Sequence, residues 1–314
     1  MEQEVMRPRI GTQEVVRAAE ILRQYRRGKE NLDKRIIDNE QFWKMRHWEQ
    51  MEKEGRGGNP HDPRPASGWL VNCILSKHAD AMDSYPEPTV LPREPDDREE
   101  AEKLTRILPV ILQNNRFKKE YARAWWNKLK SGCAVYGVFW DGGKLHGLGD
   151  IDIRSMDVLN LFWEPGVQDI QASENFFSVE LTPNHRLLDY PQLEGKLGRG
   201  GASQVSRYLY DDRVDTSDQS LVVDWYYHTE AEGRQVLHYC KFVGETVLYA
   251  SENDPQYEKR GWYDHGQYPF VFDVLFPEEG TPCGYGYVDL CKPAQKQIDL
   301  MNQAILKNTL AAAT

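Results

Sequence analysis

The period of the hydrophobic pattern changes at Ser131-Gly132, and this change constrains the fold more than any other feature of the chain. Before that point, apolar residues recur at the three- and four-residue spacing of helices. After it, they fall in short runs typical of strands, until a helical spacing returns near residue 287. Helices, then strands, then a helix predict an α+β fold, because α/β folds alternate the two elements along the chain.

The helical part is divided by glycines and prolines. Residues 13–54 are predicted to be helical with a break at Gly28, and the Gly- and Pro-rich stretch 55–65 to be a linker. Ser67 is placed to cap the next helix. We expect Pro109 to kink or split the helix that contains it, because proline removes an internal hydrogen bond.

The strand-like part begins with residues 133–140, which are followed by the hairpin signal Asp141-Gly142-Gly143. The segment 191–219 is rich in Gly, Ser and Asp and is predicted to be an exposed loop. The stretches on either side of it predict short strands and an antiparallel meander. These stretches are 151–153, 159–163, 176–181, 221–228, 236–243, 246–250 and 269–276.

The last helix has an unusual packing stripe. Residues spaced alternately four and three apart form a half-polar seam of Cys291, Gln295, Ile298, Asn302, Ile305 and Thr309. A core helix seldom places Gln and Asn on its packing stripe, so we expect this helix to pack against copies of itself or to line a wet channel. The final residues carry no helix stop signal, and we therefore expect the chain to be a fragment of a longer protein.

Composition excludes several classes of protein. The 314 residues carry 39 Lys and Arg against 49 Asp and Glu, a formal charge of −10, which excludes a protein that coats nucleic acid or anionic membrane through a basic surface. No apolar run reaches the length of a membrane span, and the N-terminus has no signal-peptide pattern. The five cysteines show no metal-ligand spacing and are expected to be reduced thiols.

The search for catalytic chemistry predicts no catalytic, cofactor or metal site. Phosphate-loop, Rossmann, nucleophile-elbow and His-Glu-x-x-His patterns are all missing from the sequence. Asp150 and Asp152 share one side of a predicted strand and are compatible with a two-metal nuclease, although a solvated strand end is the commoner origin of such a pair. His228 and His238 are predicted on neighbouring strands, close enough to meet across a hairpin.

The order of several segments between residues 69 and 310 resembles the portal proteins of tailed double-stranded DNA phages. An amphipathic helix leads into a Pro-punctuated extended segment, and an acidic-capped helix pair precedes the strands and the final helix. The segments are Trp69-Leu-Val-Asn-Cys-Ile, Tyr85-Pro-Glu-Pro-Thr-Val-Leu-Pro, Lys130-Ser-Gly-Cys-Ala-Val-Tyr-Gly-Val-Phe-Trp-Asp, Gly149-Asp-Ile-Asp-Ile, Val158-Leu-Asn-Leu-Phe-Trp-Glu-Pro, Tyr268-Pro-Phe-Val-Phe-Asp and Gly284-Tyr-Gly-Tyr-Val-Asp.

This resemblance implies three consecutive segments. Residues 1–66 would form an N-terminal helical segment and linker, and 67–286 a wing-like α+β domain with an antiparallel sheet. Residues 287–314 would begin the long stem-type helix, cut short before the clip. The returning stem helix, tunnel loop and crown of the family have no counterpart in this sequence.

The resemblance also implies a non-enzymatic function without a cofactor. Portal subunits form a ring, of about twelve copies as closed cyclic symmetry allows, at one capsid vertex. Double-stranded DNA passes through the ring without sequence specificity during packaging and ejection. Terminase, head-tail adaptor, scaffold and capsid proteins are the implied partners. The implied location is the virion, with the host cytoplasm during assembly and no membrane.

The candidate residues for the channel or the subunit interface all lie on the last helix, at Lys292, Gln295, Lys296, Asp299, Asn302 and Lys307. Two alternatives remain open from the sequence. One is the metal-dependent nuclease with Asp150 and Asp152. The other is an adaptor or binding module that uses the aromatic-rich sheet around Trp225, Tyr226 and Tyr227.

Overall fold

A computed structural model describes residues 9–53, 55, 58–59, 61–197, 218–231 and 233–313. It confirms the α+β class, with helices and antiparallel sheets. The helices are α1 (Thr12–Gly28), α2 (Glu30–Trp43), α3 (His47–Lys53), α4 (Trp69–Asp83), α5 (Arg98–Asn114), α6 (Phe117–Ser131), α7 (Asn184–Leu187) and α8 (Tyr287–Ala312). The strands are β1 (Cys133–Asp141), β2 (Asp150–Met156), β3 (Leu161–Trp163), β4 (Asn175–Pro183), β5 (Gln219–Ala231), β6 (Arg234–Val243), β7 (Thr246–Ala250) and β8 (Phe270–Val274).

Contacts within the chain divide it into two compact units, each built from segments that are distant in sequence. The first unit contains the chain up to Lys34, Val158–Tyr268 and Glu279–Pro282. The second contains Arg35–Asp157, Pro269–Glu278 and the chain from Cys283 onward. The division at residues 66 and 286 that the sequence suggests is one of consecutive segments, and it stays a prediction.

The first unit is a five-stranded antiparallel sheet in the order β3-β4-β5-β6-β7. Alternate residues of a strand point to opposite faces, and the buried side chains follow this rule. One face packs Phe177, Trp225 and Phe242 against Val15 and Tyr25 of α1. The opposite face buries a smaller apolar cluster, which consists of Leu187, Leu193, Val222, Val243 and Leu248. The meander predicted from residues 221–250 is confirmed as β5, β6 and β7.

The second unit combines helices with a three-stranded antiparallel sheet in the order β2-β1-β8. Its main apolar cluster brings α2, α4, α6 and α8 together and consists of Phe42, Leu70, Ile74, Leu129 and Val288. The backbone turns sharply at Gly132 (φ 87°), where a Cβ atom would lie 2.4 Å from the carbonyl oxygen of Gly284. Glycine is therefore required at this junction between α6 and β1.

The structure corrects parts of several local predictions. Of the kink or split predicted at Pro109, the split is absent, because α5 continues through Pro109 from Arg98 to Asn114. The predicted helix 13–54 has a second break before His47, where Met45 adopts a left-handed conformation (φ 55°). In the predicted loop 191–219, residues 198–217 lie outside the described residues, and Leu193 is buried in the apolar cluster of the first unit.

Candidate functional site

Helix α8 contains all the site residues predicted from the sequence. It begins after Gly286, whose N–H donates to a carboxylate oxygen of Asp289 at 2.9 Å. A Cβ atom at position 286 would lie 2.6–2.7 Å from the carbonyl oxygens of Leu129 and Lys130, so only glycine allows this close entry into the helix. Pro293 lies within α8, which nevertheless runs without interruption to Ala312.

The face of α8 that packs against its own unit is polar over much of its length. Gln295, Asp299 and Gln303 are all buried, and Asp299 is 0% exposed. These residues follow Val288 on one helical stripe, so the apolar contact at the start of α8 gives way to amides and a carboxylate. Burial of such groups costs free energy unless they are hydrogen-bonded, which makes the partners of Gln295 and Asp299 decisive.

Ser67 supplies two of the hydrogen bonds that Asp299 accepts. The backbone N–H of Ser67 donates to Asp299 Oδ1 at 2.8 Å, and its hydroxyl donates to the same oxygen at 2.5 Å. The Gln295 side chain donates to Asp299 Oδ2 at 2.9 Å and accepts from the N–H of Leu70 at 3.2 Å. Asn302 completes the cluster by donating to the Ser67 hydroxyl at 3.2 Å.

His47 closes this cluster from the side of α3. Its Nε2 atom lies 2.8 Å from Asp299 Oδ2, and its ring stacks on Phe42 with centroids 5.0 Å apart. Burial lowers the pKa of His47 because it penalises the charged imidazolium, while the nearby carboxylate of Asp299 opposes that effect. Since the burial effect is the larger, the neutral imidazole is favoured.

A serine, a histidine and an aspartate meet here, but in an order that does not make a nucleophile. In a catalytic triad the histidine lies between the serine and the carboxylate and removes the serine proton. Here the carboxylate of Asp299 lies between the other two, and both His47 and Asp299 are buried. The cluster therefore fixes the rotation and register of α8 and does not provide nucleophilic catalysis.

The opposite face of α8 is apolar and exposed. Leu290, Met301 and Ile305 are exposed by 57%, 59% and 59%, and Ile298 by 37%. Together with the exposed Ala294 they form one stripe, since the intervals from 290 to 305 are four, four, three and four residues. From Gln295 to Gln303 the buried face of α8 is thus polar, while an apolar stripe on the other side of the helix is exposed, the inverse of the usual arrangement in a surface helix.

The packing seam predicted from the sequence mixes these two faces. Of its members, Gln295 is buried, Cys291 and Asn302 are half-buried, and Ile298, Ile305 and Thr309 are exposed. The sequence spacing identified the helix and a half-polar seam along it, but that seam lies at the boundary between the buried polar face and the exposed apolar stripe. The packing face actually used by this chain includes Asp299 and Gln303.

The predicted site residues fall into two groups. Gln295, Asp299 and Asn302 meet around Ser67, as described above. The three lysines do not converge. The Nζ atoms of Lys292 and Lys296 lie 5.1 and 5.5 Å from the ring centre of Phe42, whereas Lys307 pairs with Asp62 at 2.8 Å. Burial lowers the pKa of Lys292.

The structure gives Ser67 and His47 roles that the sequence does not predict. The prediction that Ser67 caps α4 was wrong, since Gly68 occupies the N-cap and α4 starts at Trp69. The serine hydroxyl is instead used by Asp299, 232 residues further along the chain. No local pattern reveals such a contact.

The two aspartates of the nuclease alternative are engaged with nearby side chains. Asp152 forms ion pairs with Lys144 at 2.8 Å and with Arg154 at 3.7 Å. Asp150 accepts a hydrogen bond from the N–H of Ile151. Among the described residues, no group of three His, Cys, Asp or Glu side chains is arranged to hold a metal ion. These contacts are those of an ordinary charged strand.

His228 and His238 lie on the neighbouring strands β5 and β6, as predicted, but their side chains do not meet. His238 pairs with Tyr227 in the sheet register and His228 with Leu237, so the two side chains point to opposite faces. His238 Nδ1 lies 2.9 Å from the Ser251 hydroxyl, and His228 Nε2 lies 3.0 Å from the Gly266 carbonyl oxygen.

The aromatic sheet of the adaptor alternative lies inside the first unit. Trp225, Tyr226 and Tyr227 are each less than one-tenth exposed. Trp225 stacks on Tyr227 with ring centroids 4.1 Å apart and donates from its indole N–H to Asn175. These rings stabilise the core and present little surface to a partner.

Scans against protein-family models and against curated proteins find no match to this chain. In the part of the chain that the structure describes, none of the helices combines the length and the apolar character that a membrane crossing needs.

Proposed function

We propose that this chain is a subunit of a portal, the ring through which a tailed phage packages and ejects its double-stranded DNA. The proposal starts from the ordered sequence resemblance between residues 69 and 310. The observation that supports it best is the inverted helix α8, because a helix with an exposed apolar stripe and a polar buried face is suited to packing against copies of itself.

The polar cluster around Asp299 contributes to this function by setting the rotation of α8. Because each hydrogen bond in the cluster depends on direction, the helix has one preferred rotation against its unit. That rotation presents Leu290, Met301 and Ile305 outward together. A fixed outward stripe is what a repeated contact between identical subunits requires.

The apolar stripe is large enough to matter energetically. Full burial of a Leu, Ile or Met side chain contributes about 1.5–3 kcal/mol, and these side chains are already partly covered in the single chain. Burial of the remaining exposed part of each outward side chain against a partner helix therefore contributes roughly 1 kcal/mol. Several such residues on every subunit, repeated around a closed ring, favour assembly.

The acidic charge of the chain is compatible with DNA as cargo. A channel has to let a duplex slide, whereas a basic surface would hold its phosphates through counter-ion release. In this proposal the ring acts without catalysis and without a cofactor. Terminase docks on it during packaging, and the head-tail adaptor, scaffold and capsid proteins contact it in the virion.

The test uses the full-length product of the source reading frame. We expect that its mass in solution, measured by light scattering and mass photometry, corresponds to a closed ring of about a dozen subunits. Negative-stain images should show rings with a central opening. A stable monomer at all protein and salt concentrations, including in the presence of DNA, would contradict the proposal.

A further inference from the structure

The second unit contains a cavity with no role in the proposed assembly. Its volume is about 600 Å³, which is within the range of small-molecule sites. It lies where the Pro-rich segment after α4 passes α5 and the start of α6. Its lining combines rings, aliphatic carbons and both signs of charge, and the residues used below are Tyr85, Glu87, Pro88, Arg116, Phe117 and Lys118.

The apolar wall of the cavity is held in place from behind. The rings of Tyr85 and Phe117 have centroids 6.5 Å apart and are tilted by 58°. Tyr121 packs edge-on against Tyr85 at 5.2 Å, and Tyr136 packs against Phe117 at 5.6 Å. Because both rings are buttressed in this way, the wall is largely formed before any ligand arrives.

Two cations stand beside this wall. Arg116 and Lys118 are both exposed, and within the described residues neither forms an ion pair. The Nζ atom of Lys118 lies 5.8 Å from the Tyr85 ring centre, so its charge is next to the apolar surface. Glu87 is the carboxylate among the lining residues, and the lining therefore carries a net charge of +1 from these three groups.

The backbone of Arg116 has a conformation that is usually left to glycine. It adopts a left-handed conformation with φ 50° and ψ 39°, which is unfavourable for any residue with a Cβ atom. Glycine or asparagine would fit this turn with less strain. A charged side chain in a strained position at the wall of a cavity points to a use for that side chain.

We propose that this cavity binds a small organic anion that carries a planar ring, as a mononucleotide does. The ring lies against Tyr85 and Phe117, and the anionic group is held by the guanidinium of Arg116 and the ammonium of Lys118. Guanidinium groups recognise phosphate and carboxylate oxygens through paired hydrogen bonds. The carboxylate of Glu87 disfavours ligands of high negative charge, so a monophosphate fits better than a triphosphate.

The experiment is a calorimetric titration of the protein with adenosine monophosphate and with phenyl phosphate. Adenosine and inorganic phosphate, titrated separately, supply the ring alone and the anion alone. We expect adenosine monophosphate and phenyl phosphate each to bind at least about tenfold more tightly than adenosine or inorganic phosphate. Charged hydrogen bonds and ring burial act together only in the two ligands that carry both groups. Adenosine triphosphate is expected to bind more weakly than the monophosphate.

Three variants locate the site. Lys118→Ala and Arg116→Gly are each expected to weaken adenosine monophosphate binding at least about fivefold. Lys119→Ala is the matched control, because Lys119 is exposed on the same helix but does not line the cavity. Arg116→Gly also relieves the backbone strain, so its melting temperature is expected to be equal to or above that of the parent protein, which separates lost binding from lost folding.

Two results would overturn the proposal. One is that neither adenosine monophosphate nor phenyl phosphate binds at millimolar concentration. The other is that binding is unchanged in both Arg116→Gly and Lys118→Ala. The proposal does not depend on the portal function, and the same variants are expected to assemble like the parent protein.

Discussion

The sheet of the first unit and helix α8 of the second unit are held in place by different interactions. The sheet of the first unit covers its core with apolar and aromatic side chains such as Phe177, Trp225 and Phe242. In the second unit, α8 is held over much of its length by Gln295 and Asp299 and their hydrogen-bond partners. Apolar burial is strong but tolerant of small rotations, whereas hydrogen bonds are weaker and directional. The first arrangement provides stability, and the second fixes how α8 is oriented.

The largest expected effect comes from the apolar core of the first unit. Phe177 is fully buried, and its ring packs edge-on against Tyr25 and face-on against Trp225. Phe177→Ala is expected to lower the free energy of unfolding by about 4 kcal/mol, because it removes buried area and leaves a cavity. Urea titration followed by fluorescence measures the loss. Leu188→Ala, at a 70% exposed position of the same unit, is the control and should change little.

The polar attachment of α8 should be the next most sensitive region. Asp299→Ala leaves the donors of Ser67 and Gln295 buried without an acceptor, and it is expected to cost about 3 kcal/mol. Asp299→Asn keeps the shape and one acceptor oxygen, so its cost should be roughly half as large. Equal stability of the parent and Asp299→Ala in urea titration would show that the cluster does not hold α8.

A smaller effect is expected at Ser67. Ser67→Ala removes the hydroxyl but keeps the backbone donor to Asp299, so about 1–1.5 kcal/mol should be lost. If Ser67 were a helix cap, as its position in the sequence suggests, Ser67→Asp would preserve stability. We expect the opposite, because a second carboxylate would lie against Asp299, and the measurement of both variants distinguishes the two roles.

The pH dependence of stability gives the smallest effect, and it has a defined sign. Burial lowers the pKa of His47 in the second unit and of His238 in the first. The unfolded state therefore binds more protons just below the ordinary histidine pKa of about 6.5, and stability falls as the pH drops through that region. Each of His47→Gln and His238→Gln should flatten the difference in unfolding free energy between pH 7 and pH 5. If a histidine variant loses as much unfolding free energy between pH 7 and pH 5 as the parent does, the pKa of that histidine is not lowered in the folded protein.

Much of the fold could be predicted because its signals are local. The end of α6 at Ser131-Gly132, the β1–β2 hairpin and the β5–β7 meander all follow from spacing and turn residues within short windows. The two-unit organisation could not be predicted in the same way. It depends on pairings such as that of β1 with β8, more than 130 residues apart.

The candidate site could be predicted only to the level of the helix. Spacing identified α8 and its mixture of polar and apolar residues, including Gln295 and Asp299. Which face is buried depends on what lies opposite, and Ser67 and His47 are more than 200 residues away in sequence. Helical periodicity fixes the relative positions of side chains on a helix, but not the rotation of that helix in the protein.

In the proposed portal ring, the outward stripe of α8 forms the contact between subunits. The most direct measurement is the mass, by mass photometry, of three full-length proteins: the parent, the double variant Met301→Glu with Ile305→Glu, and Leu300→Glu. Leu300 is 37% exposed on the same helix but lies off the stripe, so it is the matched control. If the stripe forms this contact, we expect a ring for the parent and for Leu300→Glu, and monomers or small oligomers for the double variant. A double variant that keeps the mass of the ring would contradict it.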